Sequence, residues 1–173
     1  RSAIFPKKSG SGFQIKIATD SAFGKARITS IDSEKILRDL ENGHIVVVAG
    51  FQGADEGDNI TTLGRGWSDT TAVAIASALR ADVCEIYTDV EGIYTADPRV
   101  VPDARKLDQI SYDEILELAS LGAKVMQSRS IEVGKKFNVP IYVKSSLNFA
   151  DGTLITKENK TMDTISRELA DFA

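Results

Sequence analysis

An α/β fold, with helices covering a layered and mainly parallel sheet, is predicted by three features of this 173-residue chain. Short apolar runs rich in β-branched residues alternate with helical stretches of about ten residues, the pattern of successive strand–helix units. One run, Ile45-Val46-Val47-Val48-Ala49-Gly50-Phe51, is apolar throughout, as expected of a strand buried on both faces. Hydrophobic residues make up 42% of the chain and charged residues 27%, enough to bury one domain's core and incompatible with a disordered tail or a fibre.

The elements follow in order. Residues 1–12, with two lysines and a Ser-Gly repeat, read as a flexible lead-in or linker. Phe13, Ile15 and Ile17 alternate with Gln14 and Lys16, the period of a half-buried strand, and Ala26-Arg27-Ile28 reads as a short return strand. Asp32-Ser33 starts a helix whose face is Ile36, Leu37 and Leu40, stopped by Asn42-Gly43. After the apolar strand, residues 52–62 read as a polar loop, and Thr70 to Leu79 is an Ala-rich helix. Asp82 to Tyr87 is a strand followed by a long loop in which Gly92, Pro98 and Pro102 forbid a long helix. Ser111-Tyr112-Asp113-Glu114 is a capping box opening a helix to Leu121, and a second helix runs from about Ala123 to Phe137. Pro140 to Val143 and Gly152 to Ile155 are the closing strands. A 13–156 domain thus precedes a tail, 157–173, with Ile165, Leu169 and Phe172 at helical spacing. Leu116, Leu118, Leu121, Val125 and Val133 are core-face candidates.

Composition narrows the partners. The 21 Lys and Arg against 25 Asp and Glu leave −4, which gives no general attraction to nucleic acid or anionic lipid, so neither is an expected partner. The single cysteine, Cys84, has no intrachain disulfide partner, and a buried thiol in a reducing cytoplasm is expected. No apolar run approaches the roughly 20 residues that a membrane span needs, and the chain opens without a secretion signal. His44 has no second His or Cys near it, so no metal site is expected there. Asp55, Glu56 and Asp58 lack calcium-loop spacing and read as solvated charge.

In an open α/β sheet, ligands sit beyond the carboxyl ends of strands. Two stretches there carry unusual polar chemistry. Gly64-Arg65-Gly66-Trp67-Ser68-Asp69 precedes a helix. Its glycines allow close backbone approach, the helix start offers free N–H groups, and Arg65 can clamp a carboxylate or phosphate. The plain alternative is a tight turn in which Ser68 or Asp69 caps the helix. The second stretch is Tyr87 to Arg99, where Tyr94 could stack on a base, Asp89 accept from a ribose hydroxyl and Arg99 reach a phosphate. Its alternative is a solvated surface loop.

These stretches, with Val47-Val48-Ala49-Gly50-Phe51-Gln52, Thr61-Thr62-Leu63-Gly64-Arg65-Gly66, Ser68-Asp69-Thr70-Thr71-Ala72, Asp82 to Asp89, Gly92 to Arg99 and Gly122-Ala123-Lys124-Val125, resemble aspartate kinase, a member of the wider amino-acid kinase fold. The resemblance runs from about Ser11 to Ile155. It implies a three-layer α/β/α sandwich with a mainly parallel sheet, truncated here at its N-terminal side. It also implies transfer of the γ-phosphoryl group of ATP, carried with Mg2+, to the β-carboxylate of L-aspartate, in cytoplasmic amino-acid and lysine biosynthesis. By position, Arg65, Gly66 and Ser68 would hold aspartate, and Asp69 would organise the reacting groups. Thr88, Asp89, Tyr94, Asp97, Arg99, Lys124 and Val125 would contact ATP, with no protein metal ligand. Lys124, at a helix start after Gly122, suits a phosphate clamp.

The chain departs from that family in three respects. Its first twelve residues hold no Lys-Phe-Gly-Gly-Thr segment, which leaves a sheet edge for Arg1 to Gly12 themselves, a second copy or another partner to complete. Trp67 stands where the family has glycine, and an indole there is expected to strain the turn and impair catalysis. A regulatory domain after Ile155 is not expected, nor therefore feedback by an end-product amino acid. The alternative function is a non-catalytic ATP- or anion-binding module, or a scaffold with no ligand.

Overall fold

The computed structural model describes residues 7–11, 15, 17–22, 24–64, 66–120 and 126–157. Phe13, Arg65, Lys124, Val125 and the 158–173 tail lie outside them. The chain divides into two compact units, Arg1–Ala81 and Asp82–Ala173.

In the first unit, β1 (Lys7–Ser11) pairs in parallel with β4 (Ile45–Ala49), and a second sheet has the order β3–β2–β5–β6. Its strands are β2 (Ile17–Thr19), β3 (Ile28–Ile31), β5 (Gln52–Ala54) and β6 (Ile60–Thr62). β1 falls in the expected lead-in. Its Lys, Ser and Gly have poor strand propensity, and it is held by backbone pairing to the edge of β4 instead. Asp32 caps α1 (Ser33–Glu41), its carboxylate accepting from the Glu34 amide at 3.2 Å, as the sequence predicts. The core is Ile15, Ile17 and Ile36, with Ile28, Ile31, Val46, Val48, Ile75 and Leu79 packed against it.

Two expectations fail in this unit. β4 is not buried on both faces: Val46 and Val48 face the core, while Ile45 and Val47 stay 44% and 51% exposed. Alternation places successive side chains on opposite faces, and none of the described residues of this unit is packed on the second face. Residues 52–62 are not a plain loop either, because β5 and β6 form an antiparallel hairpin. Its turn is organised by Asp55, which is 9% exposed and not a solvated charge. The Asp55 carboxylate accepts from the Gly57 amide (3.0 Å), the Asn59 amide (2.9 Å) and Asn59 Nδ2. These bonds, the Asn59 amide first, hold its pKa below the usual carboxylate value.

The second unit is a sheet of order β7–β9–β10–β8, with β7 (Cys84–Thr88), β8 (Gln109–Ser111), β9 (Ile141–Ser145) and β10 (Thr153–Thr156). β7–β9 and β10–β8 are parallel, and β10–β9 is antiparallel. The predicted capping box is present at α3 (Tyr112–Ser120): the Glu114 amide donates to Ser111 Oγ at 3.2 Å and the Ser111 amide to Glu114 Oε2 at 2.8 Å. α4 spans Ser128–Phe137, starting later than predicted. It lies so close to β9 that a Cβ on Gly134 would stand 2.8 Å from Ile141 Cδ1. Cys84 is buried and free.

Tyr112, 2% exposed, donates its hydroxyl to the Val139 carbonyl at 2.6 Å. Burial pushes its pKa up to about 12. The unfolded phenol ionises near 10, so the stability contributed by the neutral phenol is complete below pH 10 and is lost as pH rises from there towards about 12. Alkaline absorbance titration is expected to show one tyrosine ionising last. Tyr112→Phe should remove that step and cost about 1 kcal/mol through the lost hydrogen bond, as read by urea unfolding.

Candidate functional site

In the first unit the candidate turn is built from the tip of β4. Phe51 adopts a left-handed backbone (φ 70°), and its amide donates to Thr71 Oγ1 at 3.4 Å while Thr71 Oγ1 donates to the Trp67 carbonyl at 2.8 Å. A non-glycine residue held at positive φ is strained, and here the strain sits where the strand end meets the first turns of α2 (Trp67–Leu79). The chain enters α2 through Gly66, the N-cap residue at φ 73°, ψ 11°, a conformation natural to glycine. Gly66 holds the N-cap position, so Ser68 and Asp69 stand inside the first turn of the helix, with Ser68 Oγ 3.5 Å from Asp69 Oδ1. Asp69 occupies the first turn, where the helix dipole favours a negative charge.

Trp67 does not strain the turn as expected. It is the first residue of α2 and has no positive φ, since Gly66 takes the left-handed position. Its half-buried indole lies back over the turn: a Cβ on Gly64 would stand 3.4 Å from Trp67 Nε1 and 3.5 Å from its Cδ1. Arg65 lies outside the described residues.

The second unit carries the loop after β7. Thr88 Oγ1 donates to Asp89 Oδ1 at 3.1 Å. Tyr94 is half-buried, donates its hydroxyl to Glu91 Oε2 at 3.4 Å and bridges to Lys106. Burial, then the Glu91 charge, raises the Tyr94 pKa. Asp97 and Arg99 are brought together: Arg99 Nε donates to Asp97 Oδ1 at 3.0 Å and Nη2 to Oδ2 at 2.9 Å. This pairing lowers the Asp97 pKa and raises that of Arg99, to which the Asp89 charge also contributes. Both side chains are exposed, so the pair adds little to stability. It fixes the guanidinium and leaves donors over for an incoming anion.

What roots this loop was not legible as a site residue. Thr153, on β10 and fully buried, accepts from the Ile93 amide at 2.9 Å and donates to the Leu107 carbonyl. One hydroxyl thus ties both ends of the loop to the sheet. Gly92, at φ 156°, makes room for it, since a Cβ there would stand 2.5 Å from Thr153 Oγ1. In the sequence Thr153 reads only as a β-branched strand residue, and a hydroxyl at an inward position is the one available signal. Thr153→Val would keep the shape and leave the Ile93 N–H and the Leu107 carbonyl without that partner. A loss of about 1–3 kcal/mol is expected, with Thr153→Ser near wild type, both read by thermal unfolding and by amide exchange at Ile93.

Mixed sheets with helices, and polar loops leaving the carboxyl tips of strands, define an α/β ligand-binding class of fold. The chain belongs to the amino acid kinase family, whose model matches residues 1–145. It is 58% identical over 159 residues to an aspartate kinase of Pseudomonas putida, and 56% identical over 151 residues to aspartokinase 2 of Bacillus subtilis. These matches cover 91% and 87% of this chain but only 39% and 37% of the relatives, so the chain spans less than two-fifths of their length. Among solved structures it is similar to E. coli aspartokinase III in complex with aspartate and ADP, with TM-score 0.81, 35% identity, and coverage of 90% of this chain and 36% of that one. Among the described residues no helix is long and apolar enough to cross a membrane.

Proposed function

We propose that this chain is the nucleotide-holding portion of an aspartate kinase, which transfers the γ-phosphoryl group of ATP to the β-carboxylate of L-aspartate to give 4-phospho-L-aspartate. The observation that carries the reading is the loop after β7: polar side chains at a strand's carboxyl tip, among them the Thr88–Asp89 and Asp97–Arg99 pairs, with both loop ends tied to Thr153. The similarity to aspartate kinases supports the choice of substrates.

The roles follow from chemistry. Phosphoryl transfer asks for positioning and for positive charge against the charge that develops on the phosphoryl oxygens. Asp89 accepts a ribose hydroxyl, Thr88 and Tyr94 line the nucleoside, and Arg99 and Lys124 meet phosphate oxygens. Val125 packs beside the nucleotide, and Asp97 fixes the Arg99 fork. Mg2+ enters on the phosphates, as hard cations prefer. Arg65, Gly66 and Ser68 take the aspartate carboxylate at the start of α2, and Asp69 orients the acceptor. A cytoplasmic place in amino-acid and lysine biosynthesis, and a second copy or partner completing the sheet, belong to the same reading.

Trp67 favours a second reading, a module that binds ATP without turning over aspartate, because its indole lies over the turn that would take the acceptor. Calorimetry with MgATP and a coupled assay of aspartate-dependent ADP release separate the two. Binding with aspartate-dependent release is the expected result, binding without release leaves the module, and no binding overturns both. Asp89→Ala is expected to weaken MgATP binding by roughly tenfold or more, the worth of a hydrogen bond to a charged group. L-aspartate binding should be retained, and equal loss of both in the same calorimeter would contradict the assignment of this loop to the nucleotide.

A further inference from the structure

β7 and β9 run parallel with Thr88 opposite Ser145, so their carboxyl tips lie side by side and the loops leaving them are neighbours. The two loops are tied together. The Ser146 amide and Oγ donate to the Thr88 carbonyl at 2.7 and 2.9 Å, Asn148 Nδ2 donates to Glu91 Oε1 at 2.8 Å, and the Lys106 ammonium donates to the Asp151 carbonyl. The β9 loop is also fixed within itself, the Leu147 amide on Ser145 Oγ at 3.1 Å and the Ala150 amide on Asn148 Oδ1 at 3.0 Å. On this held loop Phe149 is fully exposed, at 107%, and Leu147 is 77% exposed.

A nucleotide needs more than the β7 loop offers. Asp89 and Arg99 supply chemistry for ribose and phosphates, but a purine also needs a flat apolar partner for its face. The aromatic ring within that loop, Tyr94, is half-buried and engaged with Glu91. Phe149 is the large aromatic presented to solvent on the neighbouring, hydrogen-bonded loop. We propose that Phe149 is the base-contacting residue of this unit: its ring stacks on the purine of a nucleoside triphosphate held by the β7 loop, with Leu147 beside it. This rests on the reading of the β7 loop as the nucleotide holder.

The test is calorimetry of MgATP and of inorganic tripolyphosphate with Mg2+ on wild type, Phe149→Ala and Phe149→Tyr. A ring wholly in water contributes nothing to folding, so circular dichroism of all three should coincide. Phe149→Ala is expected to weaken ATP on the order of tenfold, the scale of one base–aromatic contact. Tripolyphosphate should be unaffected, and Phe149→Tyr should restore ATP affinity. Unchanged ATP affinity in Phe149→Ala overturns the proposal, as does equal weakening of ATP and tripolyphosphate. A change in sedimentation with ATP affinity intact would reassign the ring to a protein contact and overturn it equally. If the wild type binds tripolyphosphate and ATP alike, or neither, the nucleotide reading itself fails, an outcome distinct from failure of Phe149 alone.

Discussion

Gly152→Ala is expected to destabilise the second unit by at least about 3 kcal/mol, more than most single substitutions do. A Cβ at Gly152 would stand 1.9 Å from the Val143 carbonyl oxygen, and 2.9 Å from both the Val143 carbonyl carbon and Lys144 Cγ. The lysine methylene could swing aside, but the carbonyl cannot. Val143 is fully buried in β9, which pairs with β7 on one side and β10 on the other, and moving it would break ladder hydrogen bonds on both. The substitution also displaces Thr153, which holds Ile93 and Leu107, so loss of stability should bring loss of order in the β7 loop. Gly50→Ala is the control: its nearest neighbours would be ordinary contacts, 3.7 Å to Thr71 Cβ and 3.8 Å to Ser68 Cα. Urea unfolding should put Gly50→Ala close to wild type and Gly152→Ala far below it. A wild-type midpoint for Gly152→Ala would show that β9 yields at Val143.

Much of the fold is readable in the sequence where local chemistry decides. Asp32 at the start of α1, Ser111 and Glu114 at the start of α3, and the β-branched run of β4 all specify their elements through short-range bonds or propensity. What is not readable depends on who covers whom. Ile45 and Val47 look as apolar as Val46 and Val48, yet only the latter pair finds a covering layer among the described residues of its own unit. The hairpin at 52–62 is hidden because its turn depends on one buried carboxylate, and Asp55 in a polar stretch looks like any other acid. β1 is the extreme case, since nothing in its side chains asks for a strand and only the free edge of β4 does.

The candidate site divides the same way. Asp89, Tyr94 and Arg99 stand out because polar residues gather in a long loop at a strand tip, Asp97 only through the family resemblance, and the structure brings Asp97 to Arg99 and Thr88 to Asp89. Their neighbours do not announce themselves. Thr153 and Ser146 follow the Tyr87–Arg99 stretch by more than forty residues and act through a backbone amide or carbonyl, so no local spacing points to them. Lys144 is similar: it reaches Glu85 across the sheet at 3.0 Å, a pairing made by the β7–β9 register, and lies over the ring of Tyr142 on its own strand at 4.9 Å. Motif residues announce chemistry, whereas the groups that hold them in place are set by sheet register.

Trp67→Gly is expected to raise L-aspartate affinity and aspartate-dependent ADP release while lowering stability. The direction follows from where the indole lies. Trp67 opens α2 with ordinary backbone geometry, so it costs the fold no left-handed strain, and its half-buried side chain contributes part of the roughly 1.5–3 kcal/mol that full burial of a large apolar group would give. Glycine at that position removes this burial and adds backbone freedom to the unfolded chain, so a stability loss of about 1–2 kcal/mol is expected. The same indole lies over Gly64, with Nε1 and Cδ1 within 3.5 Å of where a side chain would begin. It therefore covers the turn whose backbone and first-turn amides would meet the acceptor carboxylate. Each 1.4 kcal/mol or so of obstruction relieved appears as about tenfold in affinity or rate, so a gain of that order in aspartate binding is the expected scale. Trp67→Phe separates the two contributions, because a smaller ring keeps most of the burial and vacates part of the space, and it should fall between wild type and Trp67→Gly in both measurements. If Trp67→Gly loses stability with no change in aspartate binding or ADP release, the indole is a packing residue and the acceptor lies elsewhere.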